Sequence, residues 1–318
     1  MSAPDICLVV TTYKRPRLLR TVMASLGRQT GIAPERVTVV VLDNDPEQSA
    51  RGVVDEIAGT LPFAVGYAVC PRPGIVNVRN AALAIGRERA PYLIMLDDDE
   101  VPEPQWLAEL MRVQAETRAE AVIGPVPRLV PPSAPGWIRR GAFYDIPTFA
   151  DGELLDDGCT GNSVFWLESP AFDGLGFDSA FDNAGGSDQF FFRQLLARGG
   201  VVAYAANALA PEHVLPQRLC VTYILRRAFR RGNTLWYCDL RIHGTAGKMA
   251  LRLCKALGRI GLGVVTIGPR TIVRGKTGAV EAMVDLARGL GTMAGLFGVV
   301  FQEYDQASTI KYGAEVAS

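Results

Sequence analysis

The sequence has only two histidines, and its six cysteines are scattered without a single Cys-x-x-Cys pair. The chain also starts without the basic and then apolar pattern of a signal peptide. We therefore expect a reduced, cytosolic protein in which most of the cysteines are small buried thiols. Internal repeats and long low-complexity stretches are missing, and 48% hydrophobic residues argue against global disorder.

The chain has no net charge, but charges of the two signs are unevenly distributed. Residues 1–220 carry 19 Lys and Arg against 27 Asp and Glu, whereas residues 221–318 carry 14 against 6. The split predicts an acidic catalytic body and a basic tail with an anionic neighbour.

The tail also lacks a run of about 20 uninterrupted apolar residues, so a membrane-spanning helix is not expected. Residues 260–267 and 289–301 are apolar, and basic residues flank or interrupt the first run. This pattern predicts amphipathic helices that lie at an anionic membrane surface, on the cytoplasmic side. The alternative is a helical pair packed on the catalytic body.

The first half of the chain alternates short β-branched runs with helical patterns. Strands are predicted at residues 6–10, 37–42, 63–69, 92–96 and 121–126, with helices near 17–28, 48–59, 75–89 and 105–118. This alternation is typical of an α/β fold with a mostly parallel central sheet flanked by helices. Ligands bind at the carboxyl ends of such strands.

The strongest signal for chemistry is the acidic segment Asp97-Asp98-Asp99-Glu100, directly after an apolar strand. Four adjacent acids repel one another, and folding alone does not require them there. A divalent cation that prefers oxygen ligands would offset the repulsion, which predicts Mg²⁺ or Mn²⁺ bound together with substrate phosphates. The alternative is a solvated acidic loop.

Polar residues also follow the other strands. Thr11–Pro16 places hydroxyls and a cation where a nucleotide would approach, so Thr11, Tyr13 and Arg15 are predicted to bind the donor, although a helix cap before Pro16 is the alternative. Asp43 ends the second strand and suits a base or ribose, or else a turn. Arg79, near a helix start, suits a diphosphate or uracil; the alternative is an exposed helix arginine.

Three further residues lie in the second half. Asp188 follows two glycines and Ser187 at a helix start, where it either points into a cleft or belongs to a helix cap. His213 either completes the metal site, orients the acceptor or is structural. The Gly-rich loops that end at Asn162 are predicted to shape the acceptor pocket, with Asn162 as an acceptor contact. After these loops we predict a helix at 187–197, a strand at 201–205 and helices from about 219 to 300.

Taken in order, these sequence elements resemble the family 2 inverting glycosyltransferases of GT-A fold. Within that family, the chain is similar to bacterial exopolysaccharide glycosyltransferases of the succinoglycan type. The matching elements span roughly residues 5–240 and are Thr11–Pro16, Leu42–Asn44, Arg79-Asn80, Leu96–Glu100, Gly161-Asn162 and Gly186–Asp188. The family usually has Glu-Asp where this chain has Ser187-Asp188. The Gln-x-x-Arg-Trp motif of processive synthases is absent, which argues for transfer of a single sugar.

The resemblance implies a role for each matching residue. Thr11 and Asp43 would hold the nucleoside, Arg79 the base or diphosphate, and Asp97 and Asp98 the ribose and donor sugar. Metal ligation would fall to Asp99, and the catalytic base would be Asp188.

The resemblance also implies an organisation and a function. Residues 1–244 would form the GT-A (Rossmann-like) domain, with a nucleotide-sugar half to about 126 and an acceptor half from about 127, followed by a basic helical tail at 245–318. One sugar would pass from a nucleoside-diphosphate sugar, a UDP-sugar, to a hydroxyl of a glycan or lipid-linked acceptor in cell-surface or exopolysaccharide synthesis. The protein would lie peripherally on the cytoplasmic side of the inner membrane, with no nucleic acid as partner.

Two other classes compete with this interpretation. A nucleotidylyltransferase would need a Gly-rich phosphate loop near the first helix, and Thr11–Pro16 contains no glycine. A decayed, non-catalytic transferase would be expected to lack the metal carboxylate or the base, and Asp99 and Asp188 are both present.

Overall fold

The computed structural model describes residues 4–182, 185–242 and 244–301. The strands are β1 (Ile6–Thr12), β2 (Val37–Asp43), β3 (Ala64–Val69), β4 (Tyr92–Asp97), β5 (Ala121–Ile123), β6 (Arg128–Leu129), β7 (Leu154–Leu155), β8 (Ser163–Trp166), β9 (Val202–Tyr204) and β10 (Glu212–His213). The helices are α1 (Pro16–Leu26), α2 (Arg51–Ile57), α3 (Ile75–Arg89), α4 (Trp106–Thr117), α5 (Gly136–Arg139), α6 (Ser187–Ala197), α7 (Val221–Ile242), α8 (Ala246–Arg274) and α9 (Lys276–Leu296).

Eight strands form the central sheet, in the order β3-β2-β1-β4-β8-β5-β9-β7. Strands β1 to β4 are parallel, as are β5 and β9, whereas β8 runs antiparallel to both β4 and β5. The predicted mostly parallel sheet is confirmed. Strand β5 ends at Ile123, earlier than predicted, since Pro125 and Pro127 follow and a proline cannot donate to the ladder.

The core has two layers because alternate residues of a strand face opposite sides of the sheet. Ile6, Leu8 and Val10 pack in one buried cluster with residues of α1, α2 and α4. Cys7 and Val9 belong to the cluster on the other side, which contains residues of α3 and α6. Helices on both faces explain why these strands are apolar without alternation.

The three C-terminal helices pack through glycines. A Cβ atom at Gly232 of α7 would collide with the carbonyl oxygen of Arg288 in α9, and one at Gly291 would collide with that of Phe229. Helices α8 and α9 form an antiparallel hairpin in the same way, with Gly263 and Gly289 at their contact. The helical pair that was the alternative to membrane-surface helices therefore packs against α7, through α9.

The opposite side of α8 has no covering element among the described residues, and we call it the outer face of α8. Its exposed residues are Leu257, Gly258, Gly261, Leu262, Val264, Val265, Gly268, Pro269, Thr271, Ile272 and Val273. Val265, Ile272 and Val273 are 73%, 86% and 81% exposed. No helix in the described part of the chain is long and apolar enough to cross a bilayer.

A buried carboxylate connects these helices to the catalytic body. Asp239 of α7 accepts hydrogen bonds from Arg193 of α6 and from Arg252 of α8. Two cations from different helices therefore meet at one acid, and this ion pair network fixes α6 against α7 and α8.

Candidate functional site

The acidic segment lies where the carboxyl ends of β1 and β4 meet. The register places Thr11 opposite Asp97, and Thr11 Oγ1 donates a hydrogen bond of 3.0 Å to Asp97 Oδ1. The next residue along, Thr12, donates a 2.7 Å hydrogen bond from its hydroxyl to Asp98 Oδ2. The two threonines thus orient the first two acids of the segment.

Two arginines approach the same acids. Arg15 Nη1 lies 3.1 Å from Asp98 Oδ1 and 3.3 Å from Asp99 Oδ2. Arg218, which precedes α7, has its Nη2 at 3.9 Å from the same oxygen of Asp99. Positive charge from two distant parts of the chain therefore offsets part of the repulsion among the carboxylates.

The arginines offset only part of the repulsion among the carboxylates, because the pKa values of three of the four acids remain raised. Burial, followed by the charge of Asp99 and other neighbours, raises the pKa of Asp97 to about 6 in spite of Arg79 and Thr11. Burial and neighbouring carboxylates also raise the pKa of Asp98 and of Glu100. A site that disfavours its own negative charge is ready to accept a cation.

Asp188 lies in the first turn of α6, opposite Arg79 of α3. The two nitrogens Nη1 and Nη2 of Arg79 donate to Asp188 Oδ1 and Oδ2, the second over 3.2 Å, and Nη1 also donates to Ser187 Oγ over 2.6 Å. Ser187 does not cap α6, because the cap residue is Gly186 with φ of 88° and no side chain caps the helix, whereas Asp188 does lie in the first turn as the capping alternative expects. The Ser187 hydroxyl instead accepts a hydrogen bond from Arg79, beside the contact between Arg79 and Asp188.

Arg79 and Asp188 both act on the acidic segment. The positive charge of Arg79 lowers the pKa of Asp97 and the negative charge of Asp188 raises it, in each case less than burial does. Residues 79, 97 and 188, from three separate elements, therefore lie near enough for their charges to act on one another.

Tyr13 and Lys14 form the loop between β1 and α1. Lys14 has φ of 53°, and its amine lies 5.6 Å from the centre of the Tyr13 ring and 3.7 Å from Asp45 Oδ1. Helix α1 then begins at Pro16 without a side-chain cap. The side chains of this loop thus make no capping hydrogen bond to α1.

Asp43 is fully buried, with 0% of its surface exposed. Its carboxylate accepts hydrogen bonds from the backbone of Asp45 and Ala50 at 3.0 and 2.8 Å and from the Tyr67 hydroxyl at 2.9 Å. In this structure it holds the loop after β2, so any effect on a nucleoside passes through that loop.

Asn162 is also 0% exposed. Its Oδ1 accepts a 2.5 Å hydrogen bond from Trp106 Nε1, and its Nδ2 donates to the carbonyl oxygens of Pro125 and Ala208 at 2.9 and 2.8 Å. We correct the predicted acceptor contact: every polar atom of this side chain is engaged inside the domain, so Asn162 has a structural role.

His213 lies on β10 with an exposed side chain. Its neighbour Glu212 is buried, forms a β-bridge with Glu100 and accepts from Arg218. Within residues 4–182, 185–242 and 244–301, no three His, Cys, Asp or Glu side chains form a preformed metal cluster. A part for His213 in a metal shell therefore stays a prediction.

The sequence reasoning gave no role to three residues that shape this site. Thr12 was visible beside Thr11, and its position at a strand end was a usable signal. Arg218 and Glu212 carried no such signal, because their partners Asp99 and Glu100 lie more than a hundred residues away in the chain. The arrangement unites clustered acids, two arginines and one further carboxylate, which suits a phosphate-bearing ligand with a cation and a proton transfer.

Comparisons with known proteins show the family of the chain. The model of the family described as Glycosyl transferase family 2 matches residues 7–168. The succinoglycan biosynthesis protein ExoM of Rhizobium meliloti (strain 1021) is 34% identical over 226 residues, which are 71% of this chain and 72% of that protein.

Two solved structures have a similar fold. The mannosyltransferase PcManGT from Pyrobaculum calidifontis, in complex with GDP-Man and Mn²⁺, has a TM-score of 0.54 at 17% identity and covers 100% of this chain and 81% of its own. S. aureus TarS 1–349 in complex with UDP has a TM-score of 0.52 at 13% identity, over 93% and 92% of the two chains. These likenesses show the GT-A fold with its helical C-terminal region.

Proposed function

Because this chain belongs to glycosyl transferase family 2, we propose that it is an inverting glycosyltransferase that moves one sugar from a UDP-sugar to a hydroxyl of a glycan or lipid-linked acceptor. The name of the succinoglycan relative supports a role in exopolysaccharide or cell-surface synthesis. The observation that carries the proposal is the meeting of Arg79, Asp97 and Asp188 at the carboxyl edge of the sheet.

The donor would lie across the ends of β1 and β4. Thr11, Tyr13 and Arg15 border the nucleotide, and Asp97 and Asp98 receive its ribose and sugar hydroxyls. Arg79 faces the diphosphate from α3, since a guanidinium forms two parallel hydrogen bonds to such a group. Asp43 acts indirectly, through the loop that it holds after β2.

The residues present fit a bound Mg²⁺ or Mn²⁺. The acidic segment offers only oxygen ligands, its acids are destabilised as anions, and Asp99 is 15% exposed and thus accessible. Asp99 would hold the cation, with His213 as a second ligand. When bound, the cation supplies neutralisation of the charge that develops on the departing nucleoside diphosphate.

Asp188 is the proposed base. The contact with Arg79 orients its carboxylate, so that it can accept the proton of an acceptor hydroxyl that attacks the anomeric carbon. One base and one in-line attack give inversion, and a second carboxylate is not needed as a nucleophile.

A donor panel tests the proposal. We expect donor hydrolysis and transfer with one UDP-sugar, dependent on Mn²⁺ or Mg²⁺ and abolished by EDTA. NMR spectra of the product should show an anomeric configuration opposite to that of the donor. Retention of configuration, or nucleotide transfer to a sugar phosphate, would contradict it.

An anionic membrane surface is the further proposed partner, on the cytoplasmic side of the inner membrane. Supporting this, no charged side chain interrupts the outer face of α8 over 17 residues, or about 25 Å of helix. Basic residues flank the outer face of α8 at both ends, with exposed Lys248 and Lys255 before it and Arg274 and Lys276 after it. The sequence has no acid between residues 240 and 280. Apolar area flanked by basic groups matches a headgroup layer.

The substitution Val265→Asp in the outer face of α8 is expected to weaken binding to phosphatidylserine-containing vesicles about tenfold or more, since burial of a valine contributes about 1.5 kcal/mol or more and a charge opposes insertion. Vesicle flotation measures the loss. The matched control is Leu154→Asp on β7, where the leucine is 63% exposed. Equal loss in both variants, or a lipid-independent dimer that Val265→Asp dissociates, would contradict a lipid partner.

A further inference from the structure

Three arginines from three helices lie at the C-terminal helix contacts, where Gly232 meets the backbone of residue 288 and Gly289 meets that of residue 260. They are Arg231 of α7, Arg259 of α8 and Arg288 of α9, and we call them the arginine triad. Burial and then the positive charges of Arg259, Arg231 and Arg252 lower the pKa of Arg288 to about 10, which leaves it protonated at neutral pH. Desolvation and the nearby Arg128 and Arg230 lower the pKa of Arg231, which is nevertheless an exposed residue, and Asp157 raises it.

Among the described residues, no ion pair neutralises the charges of the triad, although Asp157 acts on Arg231 and Asp285 on Arg288. In the part of the chain that the structure describes, no carboxylate oxygen lies within 4.0 Å of Arg231, Arg259 or Arg288. Arg288 Nε is buried without a hydrogen-bond partner. The nearby Asp239 is already shared by Arg193 and Arg252.

The packing keeps the triad together. Gly232 and Gly289, each adjacent in sequence to a triad member, allow the close helix contacts, because a Cβ at either one would collide with a neighbouring helix. Like charges placed near one another at these contacts repel, and the helix packing does not require them there. Folding does not explain them, but a bound anion would.

The surroundings indicate which anion fits. Arg128, which faces Arg231, donates to Glu212, and Glu212 also binds Arg218, the arginine beside Asp99. Ionic contacts thus lead from the proposed metal ligand as far as Arg128, whose positive charge acts on Arg231. On the other side, Arg259 directly follows Leu257 and Gly258 of the outer face of α8. The triad therefore lies between the catalytic cleft and an apolar surface.

We propose that Arg231, Arg259 and Arg288 bind the phosphate or diphosphate group of a lipid-linked saccharide whose apolar chain enters the membrane beside the outer face of α8. Guanidinium groups suit this ligand because they bind phosphate oxygens in pairs and remain charged when partly buried. The identification of this lipid as the acceptor rests on the proposed function, whereas the phosphate site itself does not.

Flotation of the full-length chain with three kinds of vesicle tests the site. The vesicles contain phosphatidylcholine alone, phosphatidylcholine with phosphatidylserine, or phosphatidylcholine with a polyprenyl diphosphate. We expect the polyprenyl diphosphate to bind more tightly than phosphatidylserine at equal surface charge, and inorganic diphosphate to compete. Each of Arg231→Gln, Arg259→Gln and Arg288→Gln should weaken that binding about tenfold, whereas the exposed control Arg28→Gln should not. Equal binding to the two anionic lipids in all variants would overturn the proposal.

A stability readout separates ligand binding from a structural role. Without lipid, the three glutamine variants should keep or raise Tm, because each relieves repulsion. A fall in Tm with unchanged lipid binding would overturn the site.

Asp99→Ala should leave binding of the lipid diphosphate intact. Loss of this binding in Asp99→Ala would place the diphosphate in the catalytic site instead. Failure of UDP-sugar binding, with triad-dependent lipid binding retained, would contradict only the proposed transferase function.

Discussion

Asparagine in place of Asp188 is expected to lower kcat about 10²- to 10⁴-fold, the usual contribution of a general base. The amide has the same shape and still accepts a hydrogen bond from Arg79, so the fold and donor affinity should be preserved. It cannot take a proton at neutral pH, and only the chemical step should suffer. Steady-state kinetics and donor titration calorimetry measure the two effects separately.

The control for this variant is Asp173→Asn, which removes an exposed carboxylate from the same domain. It should leave both kcat and donor affinity unchanged. If Asp188→Asn instead reduces donor binding as much as turnover, Asp188 serves mainly to hold Arg79 and the start of α6, and the base lies elsewhere.

Alanine in place of Asp99 should reduce transfer about 10³-fold, since a catalytic cation contributes several kcal/mol and about 4 kcal/mol corresponds to that factor. The loss of the carboxylate also leaves Arg15 and Arg218 facing each other across the vacated position. Donor binding should weaken in parallel. Activity measured as a function of Mn²⁺ concentration gives both the rate and the metal requirement.

A comparison variant separates the two proposed metal ligands. His213→Ala should raise the Mn²⁺ concentration for half-maximal activity while leaving the rate at saturating metal largely intact. An unchanged titration would return His213 to a structural role. Near-normal activity of Asp99→Ala in EDTA-treated buffer would refute the metal assignment altogether.

Local sequence patterns predicted most of the central sheet because β1, β2 and β4 are continuous apolar runs that are buried on both faces. Strand β8 was missed, since it is short and follows a Gly-rich segment that reads as a loop. Its antiparallel place between β4 and β5 depends on pairing with residues tens of positions away. No local pattern carries that information.

The candidate site divides in the same way. The acidic segment was predictable, since four adjacent acids after a buried strand repel one another. A cleft position for Asp188 was one of two interpretations of an acid at a helix start, because the helix dipole also favours an acid there. Arg218 was not predictable, because its meeting with Asp99 exists only in the folded chain. The prediction of an acceptor contact at Asn162 was wrong, because an amide in a polar loop suggests an exposed side chain. The Asn162 side chain is buried and donates hydrogen bonds to backbone carbonyl groups.

The two cations that share Asp239 bear on how this protein could be recombined with relatives. Arg193 belongs to the helix that carries Asp188, Asp239 to α7 and Arg252 to α8, so an exchange of tails at residue 245 would separate co-adapted partners. The natural unit for a chimera is residues 221–301 together with a matching α6. Chimeras that exchange this whole unit should retain activity more often than chimeras joined at residue 245. Insertions should be least tolerated between Ser187 and Arg252.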